Sequence, residues 1–182
     1  MRFILERGVV NGAALLDEIE RRISLAKGSA RPTRLHLTCL YVGDAEELAG
    51  EVSAQTGRGR KSVLRDLMAF ADSSVSAYAS HREENIVQLS TLGSTAEPVI
   101  AAILDPSSEL LREREALWGG LVAVVRRAGV EMPEKFLSTS STLRMPSPTW
   151  TPHVTLIKGR SLETVTDVAT IKVSLGPLRM HK

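Results

Sequence analysis

The stretch TPHVTLIKG, residues 151–159, decides how this chain is read. Pro152 leads into Val154, Thr155, Leu156 and Ile157, all suited to a pleated strand, and Gly159 closes the run. A histidine, His153, heads a strand otherwise made to be buried. Upstream, RLHLTCLYVG (residues 34–43) repeats the pattern around His36. Side chains alternate across a strand, so His36 and Thr38 share one face while Leu35, Leu37 and Cys39 share the other. His153 and Thr155 pair in the same way, with Val154 and Leu156 behind them. Each strand offers an imidazole and a hydroxyl about 7 Å apart along its axis, backed by an apolar layer.

Imidazole is the side chain that titrates near neutral pH without help, so it serves there as acid or base. Two of them facing each other across a cleft divide those roles, and a threonine hydroxyl beside each donates to an anionic oxygen. The set suits phosphoryl chemistry without a metal. His81 and His181 sit in no such frame. The single cysteine, Cys39, excludes an intrachain disulfide and a CxxC zinc site. Facing away from the proposed groove, it reads as a small core residue. No HxxxH or HxD spacing supports a metal centre, so neither a metal nor another cofactor is expected.

Composition bounds the class. With 182 residues, 43% hydrophobic and 24% charged, the chain has the make-up of one globular domain able to bury a core. A net charge of +2 permits a phosphate-bearing ligand without demanding a nucleic-acid-coating surface. No run approaches the roughly 18 apolar residues of a membrane span. MRFILERGVV lacks the apolar stretch of a signal peptide, so a cytoplasmic protein is expected.

Along the chain, RFIL reads as a short strand and GAALLDEIERRISLAK as a helix stopping at Gly28. RPTR reads as a turn before the first His strand. DAEELAGEVSAQ is a helix capped by Asp44, with Glu47 at the capping-box position. After the break TGRGRK, SVLRDLMAFADS resumes as a helix. NIVQLSTL and PVIAAIL are strands joined by GSTAE, and Asp105-Pro106 opens a long helix weakened at Gly119-Gly120. Residues 131–150, with three Pro and much Ser/Thr, read as a loop or lid. One or two strands are expected in VATIKVSLGPLRMHK. The class is α+β.

LHLTCLYVG and WTPHVTLIKGR resemble the paired His-x-Thr motifs of the 2H phosphoesterase superfamily. The likeness is greatest to its bacterial RNA 2′,3′-cyclic phosphodiesterase and 2′-5′ RNA ligase branch. IVQLSTLGSTAEPVIAAIL is similar to the middle of that family, where two strands precede the long helix. The resemblance implies a single bilobal domain over residues 1–182. Two pseudo-symmetric lobes of antiparallel β-sheet, with outer helices, would face each other around a central groove. It implies His36 and His153 as the acid–base pair, with Thr38 and Thr155 as phosphate-oxygen donors. The expected partner is RNA or a nucleotide carrying a cyclic or 2′-5′ phosphodiester, with hydrolysis and reversible 2′-5′ ligation as the reactions. A non-catalytic nucleotide- or RNA-binding module on the same fold is the alternative. A groove closed by its own two lobes implies a monomer.

Further phosphate contacts are expected from Arg160, freed by Gly159, and from Arg144 if the 131–150 loop closes over the ligand. Strict alternation sends Lys158 to the face opposite His153, unless Gly159 loosens that rule and lets Lys158, like Arg160, reach the groove. GRGRK (residues 57–61) reads as a solvated helix-leading loop, and Tyr41 and Trp150 as aromatic packing at strand ends.

Overall fold

A computed structural model describes residues 2–22, 34–94, 96–142, 150–159, 161–162 and 166–181. The turn at 31–33, the Gly28 helix stop, Arg144 and Arg160 lie outside the described residues. Among the described residues, six strands and five helices form an α+β fold with a wholly antiparallel sheet. The strands are β1 (Arg2–Val9), β2 (His36–Asp44), β3 (Arg82–Gly93), β4 (Pro98–Asp105), β5 (His153–Lys158) and β6 (Thr166–His181). The helices are α1 (Gly12–Arg22), α2 (Ala45–Thr56), α3 (Arg60–Ala77), α4 (Ser108–Arg127) and α5 (Pro133–Thr139).

The strands close into a ring in the order β1-β2-β5-β4-β3-β6. It has two matching halves, β6-β1-β2 and β3-β4-β5. In each half a strand is followed by helix (α1 in one, α4 and α5 in the other) and then by a motif strand, and the two strands pair directly. The halves are not separate sheets. They fuse along β3 and β6, from Arg82↔Leu175 to Leu89↔Thr166, and touch again between β2 and β5 at Leu37↔Val154. Helices cover the outside, with α2 and α4 against β2 and α1 and α3 against β6. The outer face of the strands supplies the core: Phe3, Leu5, Leu37, Cys39, Val154, Leu156, Val173 and Leu175 are all buried beneath the helices.

Several elements differ from the sequence reading for physical reasons. RFIL continues through Glu6-Arg7 to Val9, where Arg7, wholly buried, finds partners on three other segments. Its guanidinium donates to both Glu113 carboxylate oxygens (2.8 and 2.7 Å) and to the carbonyls of Ser80, Gly176 and Tyr78. The 131–150 segment is not all loop, since Pro133 at the first helical turn starts α5. Gly119-Gly120 does not break α4. At Gly120 a Cβ would overlap the Phe70 ring of α3, so glycine there admits the neighbouring helix. Asp44 caps α2 as expected, its carboxylate accepting from the Glu46 and Glu47 amides. The C-terminal segment is one long strand, β6.

Candidate functional site

The polar face of the ring begins with register. Leu37 and Val154 are antiparallel partners and both are fully buried on the helix side. One residue either way, His36 stands across from Thr155, and Thr38 across from His153. Both triplets are regular in their other pairings, Glu6↔Thr38 to Gly8↔His36 on one side and Ala101↔Thr155 to Ile103↔His153 on the other. The four motif residues therefore share one face about a local two-fold axis, and all four are half-buried.

The likeness of the motif strands extends beyond the motifs. On β2 the pairing with β1 skips Cys39, passing from Thr38↔Glu6 to Leu40↔Leu5. On β5 the pairing with β4 skips Leu156, passing from Thr155↔Ala101 to Ile157↔Ile100. These bulges occupy equivalent positions, and both strands run half-buried, buried, half-buried, buried, buried. The extra residue returns Tyr41 and Lys158 to the histidine face. Strict alternation placed Lys158 on the opposite face; the bulge at Leu156 reverses that. Tyr41, opposite Ile4, is half-buried on the motif side, outside the core.

Both imidazoles are held in the same way. His153 Nδ1 lies 2.8 Å from the Thr151 carbonyl, and His36 Nδ1 lies 3.4 Å from the Arg34 carbonyl, in each case two residues upstream. A carbonyl only accepts, so Nδ1 carries the proton and Nε2 is left to exchange one. Trp150 is packing, as the sequence suggested. Its Nε1 donates to the Thr38 carbonyl at 3.1 Å, and its ring lies 5.9 Å from the Arg114 guanidinium, which is equally close to Trp118. Cys39 is buried on the helix side, and burial, with the nearby Glu113 carboxylate, pushes its thiol up to about 12. It is inert core.

The flanks of the motif pair differ. On the β4 side the neighbours are Ala101 and Ile103. On the β1 side they are Gly8 and Glu6, and Glu6 is buried despite its charge. Its carboxylate lies 2.9 Å from Arg34 Nη2, 3.5 Å from Arg179 Nε and 3.7 Å from His36 Nε2. The sequence reading missed this cluster. Its one local signal was a charged Glu6-Arg7 pair inside an apolar strand; that Glu6 and Arg179 meet follows only from the β1–β6 register, in which they are partners.

The expected phosphate contacts Arg144 and Arg160 lie outside the described residues. GRGRK is partly structural: Arg58 bonds Asp66 at 2.6 Å, and Arg60 begins α3. Residues 140–142, midway along the expected lid, are latched onto α2, with the Ser140, Ser141 and Thr142 hydroxyls all donating to the Glu51 carboxylate at 2.6–2.8 Å. Beside this latch is a surface cavity of about 380 Å³, lined by Gln55, Met132, Lys135 and Phe136 among others; no motif residue reaches it. No three His, Cys, Asp or Glu side chains among the described residues are grouped to hold a metal ion, and none of the described helices is long and apolar enough to cross a membrane. No known family model matches the chain, and no curated protein sequence does either.

Proposed function

We propose that this chain is a two-histidine phosphoesterase that opens a cyclic 2′,3′-type or 2′-5′ phosphodiester of a nucleotide or RNA end. The observation that carries the reading is the Leu37↔Val154 register, which sets two His-x-Thr motifs side by side on one face. A module that only bound nucleotide would have no use for two imidazoles whose Nε2 atoms are both left to exchange protons. In the reaction, one Nε2 takes a proton from water as its oxygen bonds to phosphorus. The bond from phosphorus to the ribose oxygen breaks, and the other imidazole, protonated, gives that oxygen its proton. Thr38 and Thr155 donate to the non-bridging oxygens, which gain charge as water attacks. The mild positive balance of the chain, with Lys158 turned to the motif face, suits an anionic substrate.

The test is turnover of 2′,3′-cyclic mononucleotides and of a short RNA ending in a cyclic phosphate, in excess EDTA. His36→Ala and His153→Ala are each expected to lower kcat by roughly 10²–10⁴ with circular dichroism unchanged. The parent should show a bell-shaped pH–rate profile between about pH 5 and 8, since the two imidazoles work in opposite protonation states. Full activity in either variant, a flat profile, or loss of turnover in EDTA would each count against the proposal.

A further inference from the structure

On one side of the proposed catalytic pair the groove is built to hold negative charge, and on the other it is not. Glu6 is buried, a costly place for a carboxylate unless its partners are fixed around it. Two arginines are fixed there, Arg34 from the loop before β2 and Arg179 from β6. Among the described residues Glu6 is the only acid paired with either, so one negative charge faces two positive ones. Each arginine side chain remains 43% exposed, and Arg179 Nε, though near Glu6, completes no hydrogen bond. A guanidinium carries five N–H donors, so both keep donors for a ligand.

The cluster also has a built seat. Gly8 is the register partner of His36, and the Arg179 guanidinium lies where a Cβ on Gly8 would be. The missing side chain leaves room for that charge over the backbone position paired with His36. Glu6 reaches His36 Nε2 within 3.7 Å, so the arginines stand one side chain from the reacting centre. The equivalent places beside His153 hold Ile103 and Ala101, which offer no charge.

We infer that Arg34 and Arg179, anchored on Glu6, receive a second phosphate of the substrate, one nucleotide position from the phosphate that reacts. This rests on the phosphoesterase reading and narrows its substrate class. In a nucleoside 2′,3′-cyclic phosphate both the 2′ and 3′ oxygens are occupied, so a second phosphate on the same ribose enters through O5′. It is then either a terminal 5′-phosphate or the internucleotide diester of a longer RNA end. Both present at least two anionic non-bridging oxygens to the arginines. The preferred substrate therefore carries at least two phosphates, and a simple cyclic mononucleotide is a poor one.

The experiment compares kcat/KM of the full chain on adenosine 2′,3′-cyclic phosphate, its 5′-phosphorylated form, and the dinucleotide ApA ending in a 2′,3′-cyclic phosphate. Arg179→Gln, Arg34→Gln and Gly8→Ala are measured alongside; the last displaces a guanidinium without changing charge. The parent should prefer a doubly phosphorylated substrate by roughly tenfold or more, and whichever form is preferred identifies the source of the second phosphate. Arg179→Gln and Gly8→Ala should each reduce that preference to about two- or threefold. Equal parent rates on all three substrates, or a preference that survives these variants, would overturn the inference and leave the phosphoesterase reading standing. In parallel, calorimetry compares adenosine 3′,5′-bisphosphate with adenosine 3′-phosphate. If no cyclic substrate turns over, the catalytic reading fails and this comparison judges the anion site alone. Tighter bisphosphate binding that Arg179→Gln abolishes upholds the site; equal binding removes it.

Discussion

Glu51 shows how a single carboxylate couples a distant segment to pH. Its partial burial pushes its pKa up, but the hydroxyl bonds from Ser140, Thr142 and Ser141 outweigh that and hold it below the ordinary glutamate range. A folded-state pKa below the unfolded one contributes stability that is fully present above the unfolded value. That contribution is lost as pH falls through the folded value. The parent should therefore lose more stability between about pH 5 and 3 than Glu51→Gln, as read by urea midpoints across that range. Identical pH slopes would show that the three hydroxyls confer no preference for the ionised acid. At the same scale, the motif residues His36, Thr38, His153 and Thr155 were legible from the chain, because alternation along a strand is a local rule. Glu6 and Arg179 were not, because each looks like an ordinary surface charge until its partner is placed beside it.

At the scale of elements, two adjacent glycines in α4 have opposite meanings. Nothing stands within 4 Å of where a Gly119 Cβ would be, whereas at Gly120 that Cβ would overlap the Phe70 ring. Gly119→Ala is expected to stabilise by up to about 1 kcal/mol through helix propensity alone. Gly120→Ala should destabilise by about 1–3 kcal/mol, because α3 and α4 must separate. Thermal midpoints moving in opposite directions would establish the contrast, at ~2–4 °C per kcal/mol. A composition rule sees two equal helix weak points; only the packing of α3 against α4 tells them apart. The paired bulges at Cys39 and Leu156 make the same point about strands. Each turns the residue after it through one face, which is how Lys158 came to stand with His153 when strict alternation placed it opposite.

For the whole molecule, Arg7 is the tie that closes the ring under its helices. It joins β1 to Glu113 of α4, to the carbonyls of Tyr78 and Ser80 between α3 and β3, and to Gly176 of β6. Glu113 also receives Arg82 of β3 at 3.0 Å. Arg7→Met would leave three carbonyls without this donor and Glu113 with half its compensation, so a loss of about 3–5 kcal/mol is expected. Arg7→Lys should recover little of it, because an ammonium cannot span both carboxylate oxygens. Chemical denaturation of the three proteins measures both; a shift under 1 kcal/mol for Arg7→Met would mean the network contributes little.

The α+β class, the two motif strands, the apolar layer behind them and the Asp44 cap can all be read from the chain alone. All of these follow from periods and neighbours within a few residues. That the two halves share one ring, that Leu37 meets Val154, and that Glu6 gathers Arg34, Arg179 and His36 emerges only once the chain is folded. Those facts depend on the register between strands far apart in the chain. Register is set by the sum of core packing under the helices and by bulges that leave no mark in any single strand.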